Sequence, residues 1–370
     1  MTRQRNHAAE LLKILSMFMI VALHLVGRGG VVGSATGTLG VYAHFIYSVC
    51  FSSVNCFGLL SGYLGVNSKR LNLGRILSLW LTVTFWSLGI YLLFCFSGKS
   101  SFTIMSLLSS ITPIYSKKYW YFTMYFALSF FTPYINLLLH GLSKKKLWLL
   151  FATIVTLFTI MPALHTGEPF IMQRGYSLIW LTCLYILGAI LRLSSIKPSK
   201  KLLVPLCLGM LILTTLAQNL GERLIFALTG NKEMENFYVS YISPSTLALA
   251  ICLVLLFVNT EIKSRILIRI GSALSPLCFG VYLVHTHPLA LTTYIDNQVT
   301  PLASTPLGLF VIFPLLCLSL FLVCALLELL RQKIFLLLRI NKLCDKLNQS
   351  KLSSFINSDK EKEGSIEVTV

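Results

Sequence analysis

Three ionisable side chains lie in the first apolar segment of this chain of 370 residues, where burying charge is costly: Glu10, Lys13 and His24. On an α-helix the eleven residues from Lys13 to His24 make three turns plus about 20°, so both side chains share one face about 16 Å apart. A neutral imidazole buried there can act as a general base or a nucleophile. The alternative is a structural histidine bonded to a neighbouring helix, with Lys13 reaching towards lipid phosphate.

A second group follows the next apolar segment. That segment ends at Ser61-Gly62-Tyr63-Leu64, and Lys69, Arg70 and Arg75 come directly after it. Cations at a helix terminus can hold an anionic ligand. They can also simply orient the chain in the membrane, and charge alone favours this second explanation.

A third group, Tyr282, His285 and His287, lies in a late apolar segment. The two histidines are two residues apart and therefore point to different faces of a helix. This spacing does not suit a metal pair, so His285 is either an interior polar contact or a site residue. The ten cysteines include no pair at C-x-x-C spacing, and the sequence predicts neither a metal site nor a disulfide framework.

A fourth group is aromatic. Trp120 and Tyr121 follow two lysines, and Pro133-Tyr134-Ile135-Asn136 comes later in the same apolar segment. Aromatic residues at such positions usually anchor a helix at the membrane surface. Stacking on a sugar is the weaker alternative.

The composition identifies the elements that position these residues. Apolar residues make up 55 % of the chain and charged residues only 12 %, which excludes a soluble enzyme and a disordered chain. The apolar runs are continuous rather than alternating, which argues against a transmembrane barrel. The sequence predicts an all-α polytopic membrane protein with about ten spans. They cover residues 9–27, 41–64, 76–97, 119–139, 147–163, 175–193, 202–219, 236–258, 274–293 and 306–330.

The charges predict the orientation of these spans. Lys and Arg number 31 against 13 Asp and Glu, and with both termini in the cytoplasm 24 of these cations lie inside and 7 outside. The positive balance is therefore explained by topology, and we expect no nucleic-acid partner. Residues 1–335 form the predicted membrane domain. Residues 336–370 are predicted to be a polar cytoplasmic tail with no core to bury.

Taken in order, the motifs resemble those of the acyltransferase-3 family of integral-membrane acyltransferases. The family's first helix carries a basic residue, ten residues and a histidine, which Lys13 and His24 match. Phe57 to Leu64, Trp120 to Asn136 and Phe279 to His285 resemble its later motifs. The resemblance covers about residues 8–335. One departure is the spacing Arg70-x4-Arg75, where many members have Arg-x-x-Arg.

The resemblance implies an O-acyltransferase of the plasma membrane. It would move an acyl group, usually acetyl, from cytoplasmic acetyl-CoA to a hydroxyl of a surface polysaccharide or its lipid-linked precursor. His24 would be catalytic, while Glu10, Lys13, Arg70 and Arg75 would bind or position acyl-CoA. Ser61, Tyr63, Tyr282 and His285 would form an interior polar site. Acetyl-CoA is a donor substrate here, and no bound cofactor or metal is expected.

Two other classes would share this composition. A transporter or flippase for lipid-linked sugars more often shows broken helices in paired halves. A polysaccharide polymerase would be expected to have a large outer loop. The sequence shows neither feature, so the acyltransferase is the favoured hypothesis.

Overall fold

The computed structural model describes residues 5–164, 170–216, 220, 227 and 239–357, and the regular structure within these residues is entirely helical. The α-helices are, in chain order, α1 (His7–Gly27), α2 (Val31–Ser34), α3 (Gly37–Gly65), α4 (Leu73–Phe96), α5 (Ile104–Ile111), α6 (Trp120–His140), α7 (Lys144–Val155), α8 (Met161–Leu164), α9 (Leu178–Leu193), α10 (Lys200–Leu216), α11 (Pro244–Val258), α12 (Arg265–Leu274), α13 (Cys278–His285), α14 (Pro288–Tyr294), α15 (Phe313–Leu337), α16 (Ile340–Asn348) and α17 (Lys351–Ile356).

Seven helical stretches in the described residues are long and apolar enough to cross a membrane. They are His7–Gly27, Gly37–Gly65, Leu73–Phe96, Trp120–His140, Lys144–Ala163, Arg265–His285 and Gly308–Leu337. The shorter helices α9, α10 and α11 lie at the three remaining predicted spans. The protein is therefore an all-α polytopic membrane protein, as predicted. Parts of two predicted spans, 217–219 and 236–238, lie outside the described residues.

The ninth predicted span, 274–293, has different ends in the structure. The helical stretch begins at Arg265, passes through a 3-10 turn at Ser275–Leu277 and ends at His285. Pro288 then starts the short helix α14, and Nδ1 of His287 accepts a hydrogen bond from the Leu289 amide at 3.2 Å. Proline has no amide proton to continue the preceding helix, so the helix is interrupted between His285 and Pro288.

Helices α1, α3 and α9 pack at the centre of the bundle. A side chain at Gly62 or Gly188 would collide with the backbone of the facing helix, so α3 and α9 cross in backbone contact. Near the other end of this contact, Nε1 of the Trp180 indole donates to Oδ1 of Asn55 at 3.1 Å. Asn55 in turn donates to the Tyr241 carbonyl at 2.7 Å. These contacts fix the position at which α3 and α9 cross along their lengths.

A buried ionic cluster ties α4 and α13 to α15. Glu328 is 2 % exposed, accepts from the Trp86 indole at 2.9 Å and is paired with Arg331 one turn later. Gly280 leaves the space that the Glu328 carboxylate occupies. Removing one partner of such a cluster would leave a buried charge uncompensated, at a cost of about 3–5 kcal/mol.

The segment after residue 335 differs from the expected tail. It forms α16, which packs on the start of α4, and α17, which packs on α16, and Cys344 and Ser353 are buried there. The prediction of a segment with no core is wrong for the residues up to 357. The reason is that α16 packs against α4, where the Cys344 carbonyl lies next to Gly74.

Candidate functional site

A cavity of about 1100 Å³ runs through the helical bundle along one face of α1. Lys13, Met17, Ile20, His24 and Arg28 line it at intervals of three or four residues. Lining residues on this side extend from position 5 to position 28, which is roughly 35 Å at the helical rise. The hydrocarbon core of a bilayer is about 30 Å thick, so the cavity reaches from one membrane surface to the other. Its inner mouth is at the face that the cations assign to the cytoplasm.

Arg70 and Arg75 lie at the inner mouth, where α4 begins. Both side chains are exposed. The guanidinium of Arg75 lies 3.5 Å from the Tyr125 hydroxyl. No carboxylate among the described residues is paired with either arginine. Their positive charge is therefore available to an anionic ligand.

Glu10 is at the same mouth, but its carboxylate is already engaged. It accepts from Nε of Arg5 at 2.8 Å and lies 3.0 Å from Nδ1 of His7. Arg5 also lines the cavity and is a cation that the sequence motifs do not single out. Glu10 thus holds Arg5 at the mouth, so we read its contribution as positioning of a cation.

His24 lies in the last turn of α1, near the outer end of the cavity. Its Nδ1 is 3.2 Å from Nε2 of His285, which projects from α13. Nδ1 of His285 is in turn 2.6 Å from the Val281 carbonyl oxygen. His285 is buried and does not line the cavity, whereas His24 is only partly buried and does.

When both rings are neutral, these contacts assign their tautomers. A carbonyl oxygen only accepts, so Nδ1 of His285 carries the proton and Nε2 of the neutral ring is an acceptor. Nδ1 of His24 must therefore be the donor in the bond between the rings. This leaves Nε2 of His24 with a free lone pair, the form that a general base or a nucleophile requires.

The outer mouth is lined by aromatic rings. Trp120 lies 4.6 Å from Tyr176 and 5.8 Å from Tyr241 between ring centroids, and the two tyrosine rings are 5.0 Å apart. All three residues line the cavity. The sequence favours Trp120 as a membrane anchor, but the structure turns it towards the interior of the bundle.

Two of the three cations that line the outer mouth, Arg28 and Lys118, have partners. Arg28 makes two hydrogen bonds of 2.7 Å to the Asp296 carboxylate. Lys118 donates to the Ser110 hydroxyl at 2.6 Å, and partial burial lowers the pKa of its ammonium group to about 8. Lys117, the third, is exposed and has no acidic partner among the described residues. The outer mouth thus offers one such cation, where the inner mouth offers Arg70 and Arg75.

The structure brings most of the predicted site residues to this one cavity. Those that line it are Glu10, Lys13, His24, Ser61, Arg70, Arg75 and Tyr282. His285 joins them through His24. Tyr63 does not: its ring packs under Arg192 at 5.2 Å, in a separate cluster with Leu203 and Leu255. Tyr63 lies outside the cavity because its side chain and that of Ser61, two residues away, leave α3 in different directions.

Sequence reasoning missed Tyr125 and Tyr241 as lining residues. Tyr121 and Tyr125 are four residues apart on α6, and their rings stack at 6.3 Å. This spacing was the available signal for a shared helix face. Tyr241 gives no such signal, because it precedes α11 in an irregular segment.

The chain was compared with known proteins. A sequence model of the Acyl_transf_3 family, described as an acyltransferase domain, matches residues 6–329. The chain belongs to this family. No curated protein and no solved structure gives a significant match. The match includes Lys13, His24, Arg70, Arg75 and His285, so this acyltransferase-3 domain contains the whole cavity wall described above for α1, α4 and α13.

The side chains available for metal binding are few. Within the described ranges, no three or more His, Cys, Asp or Glu residues are grouped so as to hold a metal ion. The pair His24 and His285 uses its facing nitrogens for the bond between the rings.

Proposed function

We propose that this acyltransferase moves an acetyl group from cytoplasmic acetyl-CoA to a hydroxyl of a cell-surface polysaccharide or its lipid-linked precursor, across the plasma membrane. One observation carries the proposal: a single cavity joins a cationic inner mouth to an aromatic outer mouth, and His24 presents an unprotonated nitrogen on its wall. Donor and acceptor can enter from opposite faces and meet at that nitrogen.

The inner mouth suits the donor. Coenzyme A carries several phosphate charges at one end and the thioester at the end of a long, thin arm. Arg5, Lys13, Arg70 and Arg75 surround the mouth and can hold the phosphates there. The thioester would then extend along α1 past Met17 and Ile20 towards His24, about 16 Å further along the helix.

The outer mouth suits a sugar. The flat faces of Trp120, Tyr176 and Tyr241 offer apolar area, and their polar edges can hydrogen-bond hydroxyl groups. These rings line the cavity between its outer opening and His24. An acceptor bound there would bring a hydroxyl towards Nε2.

The reaction then needs one proton acceptor. Nε2 of His24 takes the proton from the acceptor hydroxyl, and the oxygen attacks the thioester carbonyl. The carbon–sulfur bond breaks, an ester bond forms and the thiolate of CoA leaves with a proton returned by His24. Nε2 of His285 accepts the hydrogen bond from Nδ1–H of His24 throughout, which holds the ring and stabilises the imidazolium as it forms. The alternative route, in which His24 carries the acetyl group, uses the same nitrogen.

The test is transfer by the purified protein in liposomes, with acetyl-labelled acetyl-CoA on one side and surface glycan of the source cells on the other. We expect label in the glycan and one free CoA thiol per acetyl transferred. Sugar movement without loss of thioester would instead indicate a transporter. If the thioester is not lost and no sugar moves, both functions are contradicted.

His24→Gln tests the mechanism, because the amide keeps polarity and much of the volume but cannot shuttle a proton. General acid–base catalysis contributes roughly 10²–10⁴-fold, and we expect a loss of that order. His140→Gln is the matched control, since His140 is exposed at the end of α6 and outside the cavity. Activity of the His24 variant within threefold of the unmodified protein would refute the mechanism.

A further inference from the structure

The C-terminal helices α16 and α17 contact the segment that carries Arg70 and Arg75. This segment links α3 to α4, and α16 packs along the first turns of α4. The chain thus returns, some 270 residues later, to the inner mouth of the cavity. The contact is made largely by two asparagine side chains and one glycine.

Asn357, directly after α17, binds both backbone groups of one residue in this segment. Its Oδ1 accepts the Leu71 amide at 2.8 Å, and its Nδ2 donates to the Leu71 carbonyl at 3.1 Å. A side-chain amide that satisfies both groups of one residue fixes the position of the backbone there, much as a neighbouring strand would. Leu71 directly follows Arg70.

Asn348, the last residue of α16, fixes the other end of the segment. Its Oδ1 accepts the Gly74 amide at 2.7 Å, next to Arg75. Any side chain at Gly74 would collide with the Cys344 carbonyl and with Asn348 itself. The first turn of α4 therefore lies directly against the backbone of α16.

The N-cap residue of α4, Asn72, completes the arrangement. Oδ1 of Asn72 accepts the Arg75 amide at 2.8 Å, which starts α4 at a defined residue. The backbone is thus held at three points. Asn357 binds Leu71, directly after Arg70, Asn348 binds Gly74, and Asn72 binds Arg75. The two guanidinium groups are exposed and unpaired with acids, and the backbone from which they project is held by these contacts.

We propose that Asn348 and Asn357 are positioning residues for donor binding: together they clamp residues 70–75 so that both arginines face the inner mouth. The inference rests on the proposed function, in which these arginines hold the phosphates of acetyl-CoA. The segment predicted to be a free polar tail becomes part of the donor site, although neither asparagine lines the cavity.

The test uses the full-length protein in liposomes and the double variant Asn348→Ala/Asn357→Ala. We expect the KM for acetyl-CoA to rise about three- to tenfold, with kcat and the KM for the glycan acceptor unchanged. Asn341→Ala and Gln349→Ala are matched controls, because both side chains are exposed on the same segment and make no hydrogen bond to residues 70–75. If the double variant does not fold, each single substitution is measured instead.

Two further readouts separate positioning from general stability. In an Arg70→Ala/Arg75→Ala background, the asparagine substitutions should leave the KM for acetyl-CoA unchanged, because the clamp acts only through the arginines. Without any substrate, the amides of Leu71 and Gly74 should exchange hydrogen faster in the double variant.

Three results would overturn the clamp: an unchanged KM, an equal loss of kcat, or a full effect in the arginine-free background. They differ from failure of the proposed function, in which the unmodified protein would show no reaction with acetyl-CoA.

Discussion

The two mouths of the cavity are both lined by cations, but the cations are used differently. At the inner mouth Arg70 and Arg75 are exposed and have no acidic partner among the described residues. At the outer mouth Arg28 is neutralised by Asp296, and aromatic rings form much of the wall. This difference is the basis on which we propose an anionic donor for the inner mouth and a hydroxyl-rich acceptor for the outer mouth.

The largest expected difference between the mouths concerns Arg75. Arg75→Ala should raise the KM for acetyl-CoA about tenfold to hundredfold, since a hydrogen bond to a charged group contributes about 1.5–3 kcal/mol. The KM for the glycan acceptor should not change. Steady-state kinetics in liposomes measure both constants.

Arg28→Ala is the control at the other mouth and should leave the KM for acetyl-CoA unchanged. A similar rise for both arginine variants would show that overall positive charge, rather than a site at the inner mouth, attracts the donor. A change confined to protein abundance would mean that Arg75 serves only to orient the chain.

The next effect concerns the aromatic wall. Trp120→Ala should raise the KM for the glycan roughly two- to tenfold and leave that for acetyl-CoA unchanged, because aromatic contacts contribute about 0.5–1.5 kcal/mol beyond the buried area. Trp148→Ala is the matched control, since Trp148 lies on α7 outside the cavity. An effect of Trp120 on the donor alone would reverse the assignment of the two mouths.

The smallest effect concerns the ion pair at the outer mouth. Asp296→Ala should lower the free energy of unfolding by less than about 1 kcal/mol, because exposed pairs contribute about 0.2–1 kcal/mol. The loop should stay in place through the amides of Asn297 and Val299, which donate to the carbonyls of Arg28 and Gly29. Thermal unfolding of Arg28→Ala, Asp296→Ala and the double variant gives the coupling energy. A coupling energy well above 1 kcal/mol would show that the pair contributes substantially to the stability of the fold.

The sequence predicts the helices well, because membrane spans are read from long apolar runs and need no knowledge of their neighbours. It also predicts that Lys13 and His24 share a face, since this depends only on the period of one helix. It predicts His285 as a candidate but not its contact with His24. That contact joins α1 to α13 across 261 residues and depends on how two helices pack.

The features that the sequence does not reveal have the same physical origin. Tyr63 is next to a glycine at which α3 meets α9, and the packing of these helices turns its ring away from the cavity. The polar C-terminal segment has too few apolar residues to predict a fold by itself. Its structure depends on Gly74 and on backbone groups of another helix, which composition does not reveal.

The cavity wall also bears on the electrical insulation of the membrane. A passage of this length could leak protons or sodium ions and so dissipate the ion gradients of the cell. Its lining includes seven lysines and arginines at the two ends but one carboxylate, Glu10, which is already paired. Positive charge at both openings raises the electrostatic barrier to any entering cation, as it does in channels that exclude protons. The side chains to which we assign the anionic donor would therefore also oppose the entry of cations.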